Sequence, residues 1–400
     1  MPFDPAVIRA SFAIVERRAD HLTTFFYAHL FNHNPGLRSL FPASLHEQRD
    51  RMFAALTRIV LRLDDPEGLT AYLRALGRDH RKFQVAPEHY PAVGASLIAA
   101  LRQCSGHYWT PETEKAWTEA YTVIAQVMTG AAGDLPEDDP AWWEAEVASR
   151  RRAAPDLVVL TLAPMRPYPF TAGQYVTISS PRAPRVWRPY SIANAPRSDG
   201  SLEVHVRRVP GGLLSTLLVQ DVMPGELLRL GPPLGDAVLA PAPERPLLLV
   251  AAGSGWGQTK ALLEQLTAEQ PEREATVLLA ARSAAGQYDL DTVRRLLVRN
   301  PRLRVLTAVP GPAAGPDGVT ALLRETLRRH GDFTGWDVHL SGPPELVAEL
   351  AELLRALPSA PGLIRHDPAP LTFNRDRPLT SSDWFLDHRD VPWINRTDLG

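Results

Sequence analysis

The order of hydrophobic patterns along this chain predicts a multidomain protein, with an all-α domain first, an antiparallel β-barrel second and an α/β domain on a parallel sheet third. Three observations carry that prediction. Through residues 1–134 apolar side chains recur at three- and four-residue spacing, as in Leu22, Phe25, Phe26, Leu30 and again in Met52, Phe53, Leu56, Ile59, Val60. Short strand-like runs then follow at 157–162, 175–178, 202–206 and 227–230, parted by turns such as Pro210-Gly211-Gly212 and Pro224-Gly225. From about Arg245 strands and helices alternate, with strands at 247–251, 275–280, 303–307 and 338–340, the pattern of a sheet covered on both faces.

The boundaries fall where these patterns break. Helix breaks are expected at Asn34-Pro35-Gly36, Asp64-Asp65-Pro66 and Ala86-Pro87-Glu88. The acidic, proline-bearing stretch 135–141 reads as a linker, 142–242 as the barrel and 243–373 as the α/β domain. The tail 374–400 has no clear period, and Trp384, Phe385 and Trp393 suggest that it docks on something.

Composition narrows the function. Hydrophobic residues make up 44% and charged residues 22%, enough apolar surface for a core in each part, and the net charge of −2 gives no reason to expect a nucleic acid partner. Cys104 is the one cysteine, which excludes an internal disulfide and a cysteine-ligated iron–sulfur cluster. No apolar run approaches bilayer-spanning length and the first residues lack the form of a signal peptide, so the expected setting is the cytoplasm without integral membrane association.

In the helical part, His80 sits near a predicted helix end in Leu76-Gly77-Arg78-Asp79-His80-Arg81-Lys82-Phe83. A lone helical His is more often a surface or satisfied core residue than a ligand. Its neighbours change that reading. Segments 26–35, 40–42, 48–53 and 87–90 resemble, in order and spacing, the globin domain of the flavohaemoglobins. The resemblance implies haem b with His80 as the proximal iron ligand, Phe41 packed on the porphyrin, and Tyr27 with Gln48 as the distal polar pair. Gln48 and Met52, four apart, share a helix face. Tyr90 matches the tyrosine of the family's proximal Tyr–Glu network, but the Glu position falls at about Ala132 and the lysine before the proximal His is Asp79. A missing second carboxylate should leave the imidazole less electron-donating.

In the barrel, Arg188-Pro189-Tyr190-Ser191 resembles the flavin signature of the ferredoxin-reductase-like superfamily, with Ala172-Gly173-Gln174-Tyr175 upstream and Gly211-Gly212-Leu213-Leu214-Ser215 downstream. The resemblance implies FAD, with Arg188 on the pyrophosphate, Tyr190 on the ring system, Ser191 near the nitrogen that takes the hydride, and Gly212 and Ser215 on the phosphates beside a helix start. In the third domain a strand leads through Gly253-Ser254-Gly255-Trp256-Gly257-Gln258 into a helix, the form of a phosphate-approaching turn. It resembles the superfamily's Gly-x-Gly-x-Ala-Pro loop, with Gly257-Gln258 in place of Ala-Pro. Ser341-Gly342-Pro343 resembles the family's Cys-Gly-Pro at the nicotinamide–flavin junction, Arg282 is a candidate for the adenosine ribose or its phosphate, and Asp367 stands where a C-terminal acid is expected. NADH and NADPH both remain open.

The resemblance implies a nitric oxide dioxygenase that oxidises NO to nitrate with O2 at a globin haem re-reduced by NAD(P)H through FAD. The alternatives are an NAD(P)H oxidase or peroxide reductase, or a haem-based O2 or NO sensor kept ferrous by its own reductase. The expected partners are small molecules, O2, NO and NAD(P)H. The sequence names no protein partner.

Overall fold

A computed structural model describes residues 3–136, 139–241, 244–311, 315 and 317–366, and divides the chain into two compact units between Ala141 and Trp142. Asp367 and the 374–400 tail lie outside the described residues.

The first unit is helical. Its α-helices are α1 (Pro5–Glu16), α2 (Ala19–His33), α3 (His46–Leu61), α4 (Pro66–His80), α5 (Tyr90–Ser105) and α6 (Pro111–Gly133), with short 3-10 turns between them. Capping chemistry explains several starts. Asp4, Asp65 and Thr110 each accept a hydrogen bond from an amide of the first turn, and each is followed by a proline whose fixed φ suits the first helical position. The expected breaks at Asp64-Asp65-Pro66 and Ala86-Pro87-Glu88 fall between helices, as does Asn34-Pro35-Gly36. Phe12, Leu22, Phe26, Leu30, Phe53, Leu73, Leu101 and Trp117 form the core. At Gly77 the backbone of α4 runs against that of α6, where any side chain would collide with the carbonyl of Met128. That contact fixes the last turn of α4, the turn that ends on His80.

The Asp65 cap is testable. Its carboxylate takes the Gly68 amide at 2.9 Å. Asp65→Ala should destabilise the unit by about 1 kcal/mol in denaturant titrations followed by circular dichroism, without displacing the α4 core.

The second unit holds two sheets. Strands β1 (Trp143–Ala154), β2 (Leu157–Pro164), β3 (Tyr175–Ser180), β4 (Ala183–Ser191), β5 (Leu202–Arg207) and β6 (Leu227–Leu234) pair antiparallel in the order β4-β3-β6-β1-β2-β5. A bridge between Ile192 and Val204 joins the two outer strands and closes the sheet on itself around Val147, Leu160, Ile178, Val204 and Leu230. Helix α7 (Leu213–Gln220) lies between β5 and β6 in the chain.

The second sheet is parallel, as the alternation predicts. Its elements are β7 (Leu247–Ala252), α8 (Trp256–Glu269), β8 (Ala275–Ala280), α9 (Leu290–Arg299), β9 (Leu303–Ala308), α10 (Gly318–His330), β10 (Asp337–Ser341), α11 (Pro344–Arg355) and β11 (Leu363–His366). Strand order is β11-β10-β7-β8-β9, with α8 and α9 packed on one face and α10 and α11 on the other. The chain order reverses between β7 and β10, so the crevice outside their carboxyl ends is where such sheets bind ligands. Among the described residues no helix is long and apolar enough to cross a membrane.

Candidate functional site

In the helical unit, His80 closes α4 with its Nδ1 2.7 Å from the carbonyl of Leu76, one turn back. A carbonyl only accepts, so Nδ1 carries the proton and Nε2 is left with a lone pair, the tautomer an axial metal ligand needs. Burial, the largest influence, pulls the His80 pKa below the usual imidazole value, which keeps that lone pair available. Tyr27 is 3% exposed, set edge-on to Phe26 and Phe41, and its hydroxyl donates to the backbone carbonyl of Gln48 at 3.4 Å. Burial raises its pKa, so the phenol stays a donor at every ordinary pH. Phe41, Met52, Leu76 and Tyr90 pack against the core and remain only partly buried.

The proximal side departs from the expected network. The position read as the missing Glu, Ala132, lies near the end of α6, and the acceptor behind His80 is a neutral peptide carbonyl. Tyr121, which sequence reasoning did not single out, donates its hydroxyl to the carbonyl of Tyr90 at 2.6 Å. Asp79 is balanced by Lys82, buried to 7% exposure, at 2.5 Å. Arg81 holds the linker through the carboxylate and the carbonyl of Asp139.

In the barrel, the Arg188-Pro189-Tyr190-Ser191 run forms the end of β4, and the antiparallel register sets Tyr175 of β3 directly opposite Ser191. Tyr190 is half-buried against the barrel core, and burial raises its pKa, so it offers an uncharged ring. Helix α7 begins at Leu213, with Gly212 as its cap and no side-chain cap on its first turn. Ser215 accepts from the Val209 amide at 3.1 Å, which holds the glycine turn against the helix start. Exposed amide dipoles at that start suit a phosphate.

The third group assembles at the switch point. Gly253 has φ +58°, a left-handed conformation that favours glycine. A Cβ on Gly255 would collide with the carbonyl of Ser341, so the turn after β7 and the turn after β10 lie backbone to backbone. The first-turn amides of α8 carry no side-chain cap. Ser254, Gly257, Gly342 and Pro343 belong to these two turns. Arg282 is exposed just past β8.

Two residues of the glycine turn spend their side chains elsewhere. The Trp256 indole is buried in the core and donates to Asp289 at 2.9 Å, so toward a ligand it offers backbone alone. The Gln258 carboxamide donates to the carbonyl of Gly173 in the barrel at 2.9 Å.

Comparison with known proteins accords with this geometry. A globin family model matches residues 24–128, and an oxidoreductase FAD-binding domain model matches residues 144–238. The flavohaemoprotein of Chromobacterium violaceum is 30% identical over 334 residues, covering 77% of this chain and 81% of the relative. That of Rhodopirellula baltica is 26% identical over 380 residues, covering 88% and 93%. A flavohaemoglobin from Malassezia yamatoensis, solved with bound FAD and haem, superposes with a TM-score of 0.74 at 22% identity over 91% of this chain and 98% of its own, and so shares the fold. An Amycolatopsis cytochrome P450 reductase is similar over 58% of this chain and 71% of its own, at 29% identity and a TM-score of 0.51. A globin followed by a flavin-type barrel and a parallel nucleotide-type sheet, matched along most of its length, places this chain in the flavohaemoprotein family, as an NAD(P)H-dependent flavohaem oxidoreductase.

Proposed function

We propose that this enzyme oxidises nitric oxide to nitrate with O2 at the expense of NADH or NADPH. The observation that carries the reading is the pairing, in one helical unit, of an imidazole with its Nε2 free of a proton and a buried phenol that cannot ionise. Haem b supplies O2 binding and one-electron chemistry, FAD converts two-electron into one-electron equivalents, and the nicotinamide supplies the hydride.

The residues divide the work. His80, oriented by the Leu76 carbonyl, would hold the haem iron through Nε2, and Phe41 would pack on the porphyrin. Tyr27 would offer its hydroxyl as a neutral hydrogen-bond donor in the haem site, with the Gln48 carbonyl keeping that hydroxyl in place. Tyr90 stands on the proximal side. Arg188 would pair with the flavin pyrophosphate, Gly212 and Ser215 would shape the amide cradle for it, and Tyr190 would pack on the ring system, with Ser191 near the nitrogen that takes the hydride and Pro189 and Tyr175 in the same site. Gly253, Ser254, Gly255, Trp256 and Gly257 offer backbone to the nicotinamide dinucleotide. Ser341, Gly342 and Pro343 bring its reactive ring toward the flavin. Arg282 would meet the adenosine ribose or its phosphate.

A second reading, oxidase or peroxide turnover, is favoured by one feature: the acceptor behind His80 is the Leu76 carbonyl, with Ala132 where a carboxylate is expected. The deciding measurement is NO consumption in air by haem- and FAD-replete protein with NADH and with NADPH. The dioxygenase reading requires NO loss well above the NO-free rate of O2 consumption, with nitrate as product. Turnover no faster than that background sinks it and leaves the oxidase.

A further inference from the structure

The second unit contains a buried ionic cluster that the proposed chemistry does not use. Lys260 on α8 is 4% exposed. Its ammonium lies 2.6 Å from Glu203 Oε1 on β5 and donates to the carbonyl of Ala193 at 2.9 Å. His205, two residues along β5, approaches the same carboxylate through Nε2 at 2.9 Å and the Tyr288 hydroxyl through Nδ1 at 2.7 Å. A carboxylate only accepts, so His205 Nε2–H donates to Glu203, while Nδ1 is hydrogen-bonded to the Tyr288 hydroxyl. Burial alone would raise the Glu203 carboxyl, but the His205 bond and the Lys260 charge hold it well below the usual carboxylate range. The Glu203 carboxylate is therefore ionised and hydrogen-bonded, at a desolvation cost that an apolar side chain would not incur.

Its members come from both sides of one seam. Lys260 and Glu264 are four apart on α8 and share a face. Lys260 takes the Ala193 carbonyl, while Glu264 accepts the Ala195 amide at 3.0 Å. Gln258, in the first turn of α8, donates to the carbonyl of Gly173 at 2.9 Å. A side chain on Gly257 would meet Ala193 at 3.2 Å and His205 at 3.4 Å, so the helix start lies close against the barrel. Ala193 follows Ser191 by two residues, and Gly173 precedes Tyr175 by two. The same helix start carries the glycine turn that abuts Ser341. One short helix thus ties the turn proposed for the nicotinamide to both strands proposed for the flavin.

We propose that Gln258 and Lys260 are positioning residues for hydride transfer, fixing the nicotinamide turn against the end of β4 through Gly173, Ala193 and the Glu203 cluster. This rests on the placement of flavin and nicotinamide given above. In the step served, the C–H bond of the reduced nicotinamide breaks with its electron pair, the hydride bonds to the flavin ring nitrogen, the nicotinamide leaves oxidised and the flavin gains two electrons. Such a transfer is sensitive to sub-ångström spacing, so a loosened tie should act on rate before affinity.

The test uses the full-length holoprotein and two variants. Gln258→Ala removes one hydrogen bond. The double variant Glu203→Gln with Lys260→Met removes both charges at nearly constant size, which avoids leaving the Glu203 carboxylate without its ammonium partner. Anaerobic stopped-flow flavin reduction should slow about tenfold in each, with the nicotinamide dissociation constant within about twofold of the parent and weaker long-wavelength flavin–nicotinamide charge-transfer absorbance. Independently of turnover, hydrogen exchange at the Ala195 amide should accelerate in the double variant. Parent-like reduction rates in both variants overturn the proposal even if exchange accelerates, because the ties are then only structural. A rate loss explained by weaker nicotinamide binding also overturns it. A parent that carries no flavin, or whose flavin neither nicotinamide reduces, overturns the site assignment itself, a result separable from failure of the clamp.

Discussion

His80→Ala is expected to yield a protein that lacks the intense haem absorption band yet keeps its flavin spectrum, and NO consumption should fall to the buffer background. The argument begins with the one proton on the imidazole. Nδ1 is committed to the Leu76 carbonyl at 2.7 Å, so the ring is held in one orientation and presents Nε2 as an atom suited to iron. Alanine at this position removes the ligand and leaves the Leu76 carbonyl at a helix end, where such carbonyls are ordinarily solvated. The fold should persist, because α4 is held by Leu69, Leu73 and the Gly77 approach to α6 rather than by His80. Flavin reduction by NAD(P)H, measured anaerobically, should stay within about twofold of the parent, since the residues assigned to it belong to the other unit. A variant that retains stoichiometric haem and NO turnover would show that another group ligates the iron, and the Tyr27 assignment would fall with it.

How much of this was legible in the sequence depends on whether the signal was local. Helix breaks at Asp65-Pro66 and Ala86-Pro87 could be read because caps and prolines act within one turn of themselves. The glycine turn after β7 was legible for the same reason. What the turn touches was not: the abutment of Gly255 on Ser341 joins residues 86 apart, and only the strand order β10-β7 brings them together. Closure of the barrel through Ile192 and Val204 depends likewise on pairing between strands. The clamp was the least visible feature. Glu203 and His205 sit in a strand whose alternation reads as two polar residues facing solvent, and Lys260 sits in an ordinary helix. The burial of His205 and Lys260 and the partial burial of Glu203 follow from the barrel resting on α8, which no local pattern records. Gln258 read as a mere departure from a family loop. Its function as a donor to Gly173 appears only when the two sheets are placed side by side.

The distal phenol carries the other large effect. Tyr27→Phe should lower NO turnover by about 10²-fold and hasten O2 release from the reduced protein, with haem content unchanged. Phenylalanine keeps the ring, so the packing with Phe26 at 4.9 Å, Phe41 at 5.6 Å and Phe31 at 5.8 Å survives, and stability should move by no more than about 1 kcal/mol. Only the hydroxyl is lost. It meets the Gln48 carbonyl at 3.4 Å, a distance at which a hydrogen bond is weak, so the donor can turn toward a ligand at little cost. Burial raises the phenol pKa, which fixes the sign of the pH dependence: the neutral donor form persists across the enzyme's working range, and NO turnover should show no loss from Tyr27 ionisation up to at least the ordinary phenol pKa of about 10. If O2 release from Tyr27→Phe matched the parent, the hydroxyl would not be contacting the ligand, and Gln48, held by α3 on the same side, would become the donor to test next.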